Sequence, residues 1–121
     1  MNRLKSLRKT AYSKQNKRCY YCNAPMWLGS ADGFCDTYSL SKKEAKRLQC
    51  TAEHLKARQD GGGDQAANVV AACQFCNSTR HKNQGNAKGP SSYRSHVQRR
   101  IKAGHWHPKV LLHKIGLAAE K

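Results

Sequence analysis

Apolar positions along this chain change their spacing from segment to segment, and each change marks an element. In RLKSLRKTAYSKQNK, residues 3–17, Leu4, Leu7, Ala11 and Tyr12 recur at near-helical intervals among basic residues, which predicts a short amphipathic helix. Residues 23–38 lose that rhythm. Pro25, Gly29, Gly33 and several small polar residues predict a loop there, with one irregular strand around Trp27. In SLSKKEAKRLQ, Ser41 and Glu44 stand at capping-box spacing, and Leu40, Ala45 and Leu48 make one apolar stripe, so a second helix is predicted.

CTAEHLKA then predicts a strand, RQDGGGDQ a glycine-built loop and NVVAA a second short strand, and two strands joined this way form a hairpin. CNSTRHKNQGNA has no breaker before Gly85 and predicts a helix opening just after the second cysteine pair. GNAKGPSS is a linker. SSYRSHVQRRIKAG predicts a basic helix ended by Gly104, and Pro108 opens a last helix, PKVLLHKIG, with mixed apolar and basic faces. No internal repeat occurs beyond two CxxC pairs. The expectation is an α+β chain forming one domain over 1–121. Residues 1–18 would be a basic N-terminal helix, 19–84 a core, and 85–121 a basic C-terminal helical arm.

A domain of this size buries a small core and gains from a staple. Six cysteines offer one. The opening MNRLKSLRKTAYSKQ lacks the continuous apolar run of a secretory signal or a membrane span, so the expected setting is cytoplasmic, without membrane association and with reduced thiols. Paired cysteines in that setting bind metal more often than they form disulfides. The placement of charge adds a partner. Residues 1–18 carry seven Lys/Arg and no acid, residues 80–121 carry ten and one acid, and residues 19–79 carry six of each sign. The whole excess of +16 therefore sits on the flanks, where nucleic acid is the natural polyanion.

Cys19 and Cys22 form one CxxC, and Cys73 and Cys76 the other. Each such turn offers two thiolates to one side of a tetrahedral ion, so the two together complete a structural Zn²⁺ shell with no open position. The ion would close a loop of some fifty residues, tying the first helix to the hairpin. Cys35 and Cys50 are left over, and buried reduced thiols are the commoner fate for such residues.

Between the first strand and the second CxxC the chemistry-bearing residues fall in a definite order. Glu53 and His54 are side by side, followed by the glycine loop, Asn68, and then Asn77 directly after Cys76. EHL, GG, NVVAAC and CQFCN together resemble the HNH endonuclease motif over residues 51 to about 82. That resemblance implies a ββα-metal fold, a hairpin plus a helix around one divalent cation.

Cleaving a phosphodiester needs an activated water, a cation at the scissile phosphate and help for the leaving oxygen. A neutral imidazole such as that of His54 suits the role of general base. Neighbouring strand residues point to opposite faces, so Glu53 and His54 can share a site only if the strand twists or bulges. By resemblance Glu53 and Asn77 are ligands to a catalytic cation, and Asn68 bonds the loop backbone and holds the histidine strand in place. Taken singly, Asn68 suits a turn and Asn77 a helix cap.

Two protein oxygens suit catalytic Mg²⁺, or Mn²⁺. His81, four residues after Asn77, would add a nitrogen ligand and extend the choice to Ni²⁺ or Zn²⁺, but an exposed or phosphate-contacting imidazole is the commoner outcome. Arg80 is expected on phosphate or on the charge developing at the leaving group. With Lys82, Arg99, Arg100 and Lys102 it makes up the expected nucleic-acid contacts. The acid is Glu where many relatives have Asp, which changes the reach to the metal. Trp106, in HWHPK, packs more often than it stacks on a base, and His105 and His107 read as loop residues.

The expected activity is metal-dependent hydrolysis or nicking of duplex DNA by a monomer or a homodimer. The alternative is a zinc-stapled nucleic-acid-binding protein with a vestigial nuclease site. A ribosomal-type RNA-associated protein would explain the charge but not the motif.

Overall fold

The computed structural model describes residues 2–82 and 88–117. Its elements in chain order are α1 (Arg3–Lys14), α2 (Asp32–Tyr38), α3 (Lys42–Arg47), β1 (Cys50–His54), β2 (Val69–Cys73), α4 (Gln74–Arg80), α5 (Pro90–Lys102) and α6 (Lys109–Lys114), with short 3₁₀ turns at Arg58–Asp60 and Ala66–Asn68 between the strands. The class is α+β. β1 and β2 pair antiparallel, with Cys50 opposite Cys73 and His54 opposite Val69. No helix among the described residues is long and apolar enough to cross a membrane.

Local rules account for most of the helix ends. The Asn2 side chain caps α1 by accepting from the amides of Leu4 and Lys5. The Ser41 hydroxyl accepts from the Glu44 amide while the Glu44 carboxylate accepts from the Ser41 amide, so the predicted capping box is formed. Leu40, Ala45 and Leu48 are all buried. Pro90 occupies the first turn of α5, whose Tyr93, Val97 and Ile101 recur every four residues and are buried, and Gly104 turns the chain at φ +76° just past its end.

Two expectations need correction. Residues 32–38 are not loop but α2. Its Phe34 and Tyr38 rings stand one turn apart with centroids 5.0 Å from each other, and that contact outweighs the unfavourable Gly33. Similarly, α4 opens inside the second CxxC rather than after it, because the Cys73 sulfur serves as the N-cap and accepts from the Cys76 amide. α4 closes at Arg80 rather than running toward Gly85; residues 83–87, the end of the predicted helix and the start of the predicted linker, lie outside the described residues, and from Pro90 that linker already belongs to α5.

One buried cluster joins these elements. The four CxxC cysteines lie within it, together with Tyr21, Leu48, Tyr93, Val97, Leu111 and Leu112. The basic C-terminal helices thus contribute their apolar faces to the same core as the hairpin. α1 buries no residue fully, but from the turn after it the Gln15 amide donates to the Ala71 carbonyl (2.8 Å) and its oxygen accepts from the Ala71 amide (2.9 Å). Gln15 thereby covers an edge of β2 that would otherwise be open to pairing.

Candidate metal centres

Two centres flank the hairpin, one made of sulfur and one of oxygen and nitrogen. At the first, the sulfurs of Cys19, Cys22, Cys73 and Cys76 all lie within 4.8 Å of one another, and those of Cys22 and Cys73 are 3.9 Å apart. Tetrahedral Zn–S bonds of about 2.3 Å put sulfurs about 3.8 Å apart, so the four are positioned for zinc. Amide groups supply the surrounding hydrogen bonds: the amides of Tyr21 and Cys73 donate to the Cys19 sulfur at 3.4 and 3.3 Å. The indole N–H of Trp106 donates to the Cys76 sulfur at 3.2 Å. Trp106 also packs edge-on against Phe75 and Tyr93, so it is a packing residue that closes the centre from the C-terminal side. The two remaining cysteines lie apart from the centre. Cys50 is buried, which pushes its thiol up to about 12, and Cys35 is half-buried.

The second centre is a cavity of about 180 Å³ at the loop end of the hairpin, lined by Glu53, His54, Arg58, Asn77 and His81 among others. Glu53 and His54, neighbours on β1, both border it. His54 is the last residue of the strand, where the chain leaves the pleat for the loop, and this position lets the two side chains share one space.

Glu53 is 1% exposed and its carboxylate is fully engaged. Its Oε2 accepts from the Tyr21 hydroxyl at 2.8 Å and from Arg80 Nη1 at 2.9 Å, while its Oε1 lies 2.9 Å from His81 Nε2. Burial and the neighbouring Glu53 carboxylate push the Tyr21 hydroxyl far above its ordinary range, so it remains a proton donor to that carboxylate. Asn77 fixes its amide by donating to the Thr51 hydroxyl and to the Ala52 carbonyl, both at 3.0 Å. A carbonyl can only accept, so this identifies the amide nitrogen and leaves Oδ1 as the end able to ligate a cation.

The donor set suits a divalent cation. Two ligands at about 2.1 Å in neighbouring octahedral positions are about 3.0 Å apart, close to the separation of Glu53 Oε1 and His81 Nε2. His81 is half-buried, with Nε2 against Glu53, and also borders the adjoining cleft.

Arg80 also departs from expectation. Its side chain is 5% exposed, and besides Glu53 its guanidinium donates to the carbonyls of His54, Leu55 and Lys88. Every nitrogen is used inside the protein, which corrects the expectation of a phosphate contact and makes Arg80 the partner that neutralises Glu53 and anchors the strand end. Lys82, Arg99, Arg100 and Lys102 are all exposed.

Asn68 bonds both ends of the glycine loop. Its Oδ1 accepts from the Lys56 amide at 2.8 Å, and its Nδ2 donates to the carbonyls of Lys56 and Gly63 at 3.1 and 3.0 Å. Gly62 permits the loop to lie this close: a Cβ there would fall 1.7 Å from the Lys56 carbonyl oxygen.

Three participants escaped the sequence reading. Tyr21 lies inside the first CxxC, where only the cysteines drew notice. Asp64 and Arg58 sit in the loop: Asp64 Oδ1 is 2.8 Å from His54 Nε2, and Arg58 Nη2 reaches both Asp64 oxygens at 3.0 and 3.1 Å. The hydrogen bond from His54 first, and the Arg58 charge after it, hold the Asp64 carboxyl below the usual carboxylate range. The only hint of this in the sequence was an acid within a glycine loop that folds back on a histidine strand.

A second cleft of about 380 Å³ adjoins the cavity, shares Ala57 and His81 with it, and carries Lys56, Gln59 and Lys88 on its walls. No curated protein and no solved structure matches the chain. The segment that supplies nearly all of the second centre, residues 41–83, matches the family described as HNH endonuclease.

Proposed function

We propose that the protein is a divalent-metal-dependent endonuclease that hydrolyses or nicks duplex DNA, with His54 as the general base. The observation that carries this reading is the convergence of Glu53, His54, Asn77 and His81 on one cavity beside a cleft with basic walls. Glu53 Oε1, Asn77 Oδ1 and His81 Nε2 would hold Mg²⁺ or Mn²⁺, with the imidazole widening the choice toward Ni²⁺ or Zn²⁺. A cation bound there supplies positive charge to the scissile phosphate and to the departing oxygen. His54 takes a proton from the attacking water as the new P–O bond forms, and the bond to the sugar oxygen breaks with a proton drawn from solvent. Asn68 and Gly62 keep the loop closed behind the histidine. The sulfur centre, with all four positions filled by thiolates, is structural.

Supercoiled plasmid tests the reading, incubated with Mg²⁺, Mn²⁺ or no metal. Relaxation that requires metal and falls at least about 100-fold in His54→Ala is the expected result. The exposed Lys82, Arg99, Arg100 and Lys102 would hold DNA through phosphates, so affinity should fall steeply with salt and to the same degree for unrelated sequences.

One observation favours a second reading. Glu53 is already neutralised by Arg80 and fully enclosed, which weakens its attraction for a cation. Tight DNA binding with no cutting under any of these metals would identify a binding protein with a vestigial site.

A further inference from the structure

The geometry points to Asp64 as a positioning residue for the endonuclease reaction: its carboxylate fixes the His54 imidazole in the tautomer protonated at Nε2, so that Nδ1 is the nitrogen that receives the proton of water. The inference rests on the reading of His54 as general base and names what that reading leaves open, namely which nitrogen acts and what holds it.

Three contacts carry it. His54 Nε2 lies 2.8 Å from Asp64 Oδ1, a full-strength hydrogen bond. An ionised carboxylate only accepts, so the proton of that bond belongs to Nε2. Arg58 Nε approaches the same nitrogen at 3.4 Å, but an Nε2 that already bears a hydrogen has no lone pair to offer it. Arg58 instead grips both Asp64 oxygens through Nη2, and the Arg3 guanidinium donates to the Asp64 carbonyl at 2.8 Å. The orienting carboxylate is thus held at its side chain and at its backbone. Among the described residues Nδ1 has no hydrogen-bond partner, and the ring borders the cavity that also presents Glu53, Asn77 and His81.

A carboxylate in this relation to a basic imidazole acts in two ways. It selects one tautomer, and it favours the imidazolium formed once the water has lost its proton. Neither effect requires Asp64 to touch substrate. The loop explains its position: Asn68 closes the chain between Lys56 and Gly63, and Asp64 follows directly on that closure.

Two measurements on the full zinc-loaded chain test the assignment. In plasmid cleavage, Asp64→Asn should lower kcat by about 10- to 100-fold with KM nearly unchanged, because DNA contacts are untouched while the base is no longer held. A merely structural residue would instead lower the melting temperature and leave the kcat of the folded fraction intact. The second measurement needs no activity: long-range ¹H–¹⁵N spectra of the native chain at slightly alkaline pH should show His54 protonated at Nε2, and Asp64→Ala should shift it toward a tautomer mixture.

A native His54 protonated at Nδ1, or native kcat in a folded Asp64→Asn, overturns the proposal. If Asp64→Asn does not fold, the spectrum of the native chain decides alone. A native protein that cuts nothing, yet shows the Nε2 tautomer lost in Asp64→Ala, keeps the pairing and ends the endonuclease reading. Cleavage abolished in His54→Ala but unaffected in Asp64→Asn does the reverse.

Discussion

At the scale of single residues, the same substitution has opposite consequences at two glycines. Gly62→Ala would drive a methyl group against backbone, 1.7 Å from the Lys56 oxygen and 2.6 Å from its carbon. It should destabilise the protein by about 2 kcal/mol or more, since neither atom can move without opening the loop. Gly33→Ala meets nothing within 4 Å and lies within α2. It should raise stability by about 0.5–1 kcal/mol, and denaturant midpoints for the two variants check both signs. His107 supplies a pH dependence. Burial, then the neighbouring Arg47, lowers it to about 4, and Arg47 donates to its Nδ1. A histidine whose folded value lies below its unfolded value stabilises fully above about 6.5 and loses that contribution as pH falls toward the folded value. The loss between pH 6.5 and 4 should be on the order of 3 kcal/mol; it should be absent from His107→Gln and so appear in full in the native-minus-variant difference. Equal acid slopes for the two proteins would refute it. The sequence offered His107 only as a loop residue, because its partner Arg47 is sixty positions away.

At the scale of elements, the strongest coupling runs between β1 and α4 through Glu53 and Arg80. Both side chains are buried, and each leaves an uncompensated charge if the other is removed. Arg80→Met should therefore cost about 3–5 kcal/mol. Adding Glu53→Leu should recover a large part of that loss while removing a proposed ligand, so stability and cleavage would change in opposite directions. Thermal melts of the two single variants and the double variant give the coupling directly. Elements with local signals were legible: the capping box of α3, the glycine beyond α5 and the strand, loop, strand order all follow from short-range chemistry. α2 was not, because its support is a Phe34–Tyr38 contact and packing against the core, whereas its local sequence contains a glycine. The start of α4 was misplaced for a related reason. A cysteine sulfur is an unusual cap, and no residue-type pattern at that position signals it.

For the whole molecule, the sulfur centre is where α4, the first CxxC and the C-terminal segment meet. Complete removal of zinc by a strong chelator should unfold the chain, with loss of its helical circular dichroism and recovery on adding zinc back; an unchanged melt after verified removal would count against the four-cysteine shell. The sequence alone determined the two CxxC pairs, the order of Glu53, His54, Asn68 and Asn77, and the basic flanks, because each is a matter of residue type and spacing along one chain. Tertiary structure decided the rest. It buried Arg80 against Glu53, turned His81 inward, set Tyr21 on the carboxylate and brought Asp64 to His54. These are contacts between residues ten to thirty-two positions apart, and no local pattern encodes them. They arise because a buried carboxylate must find donors and a folded loop must satisfy its polar groups, and only the packed chain determines which groups are within reach.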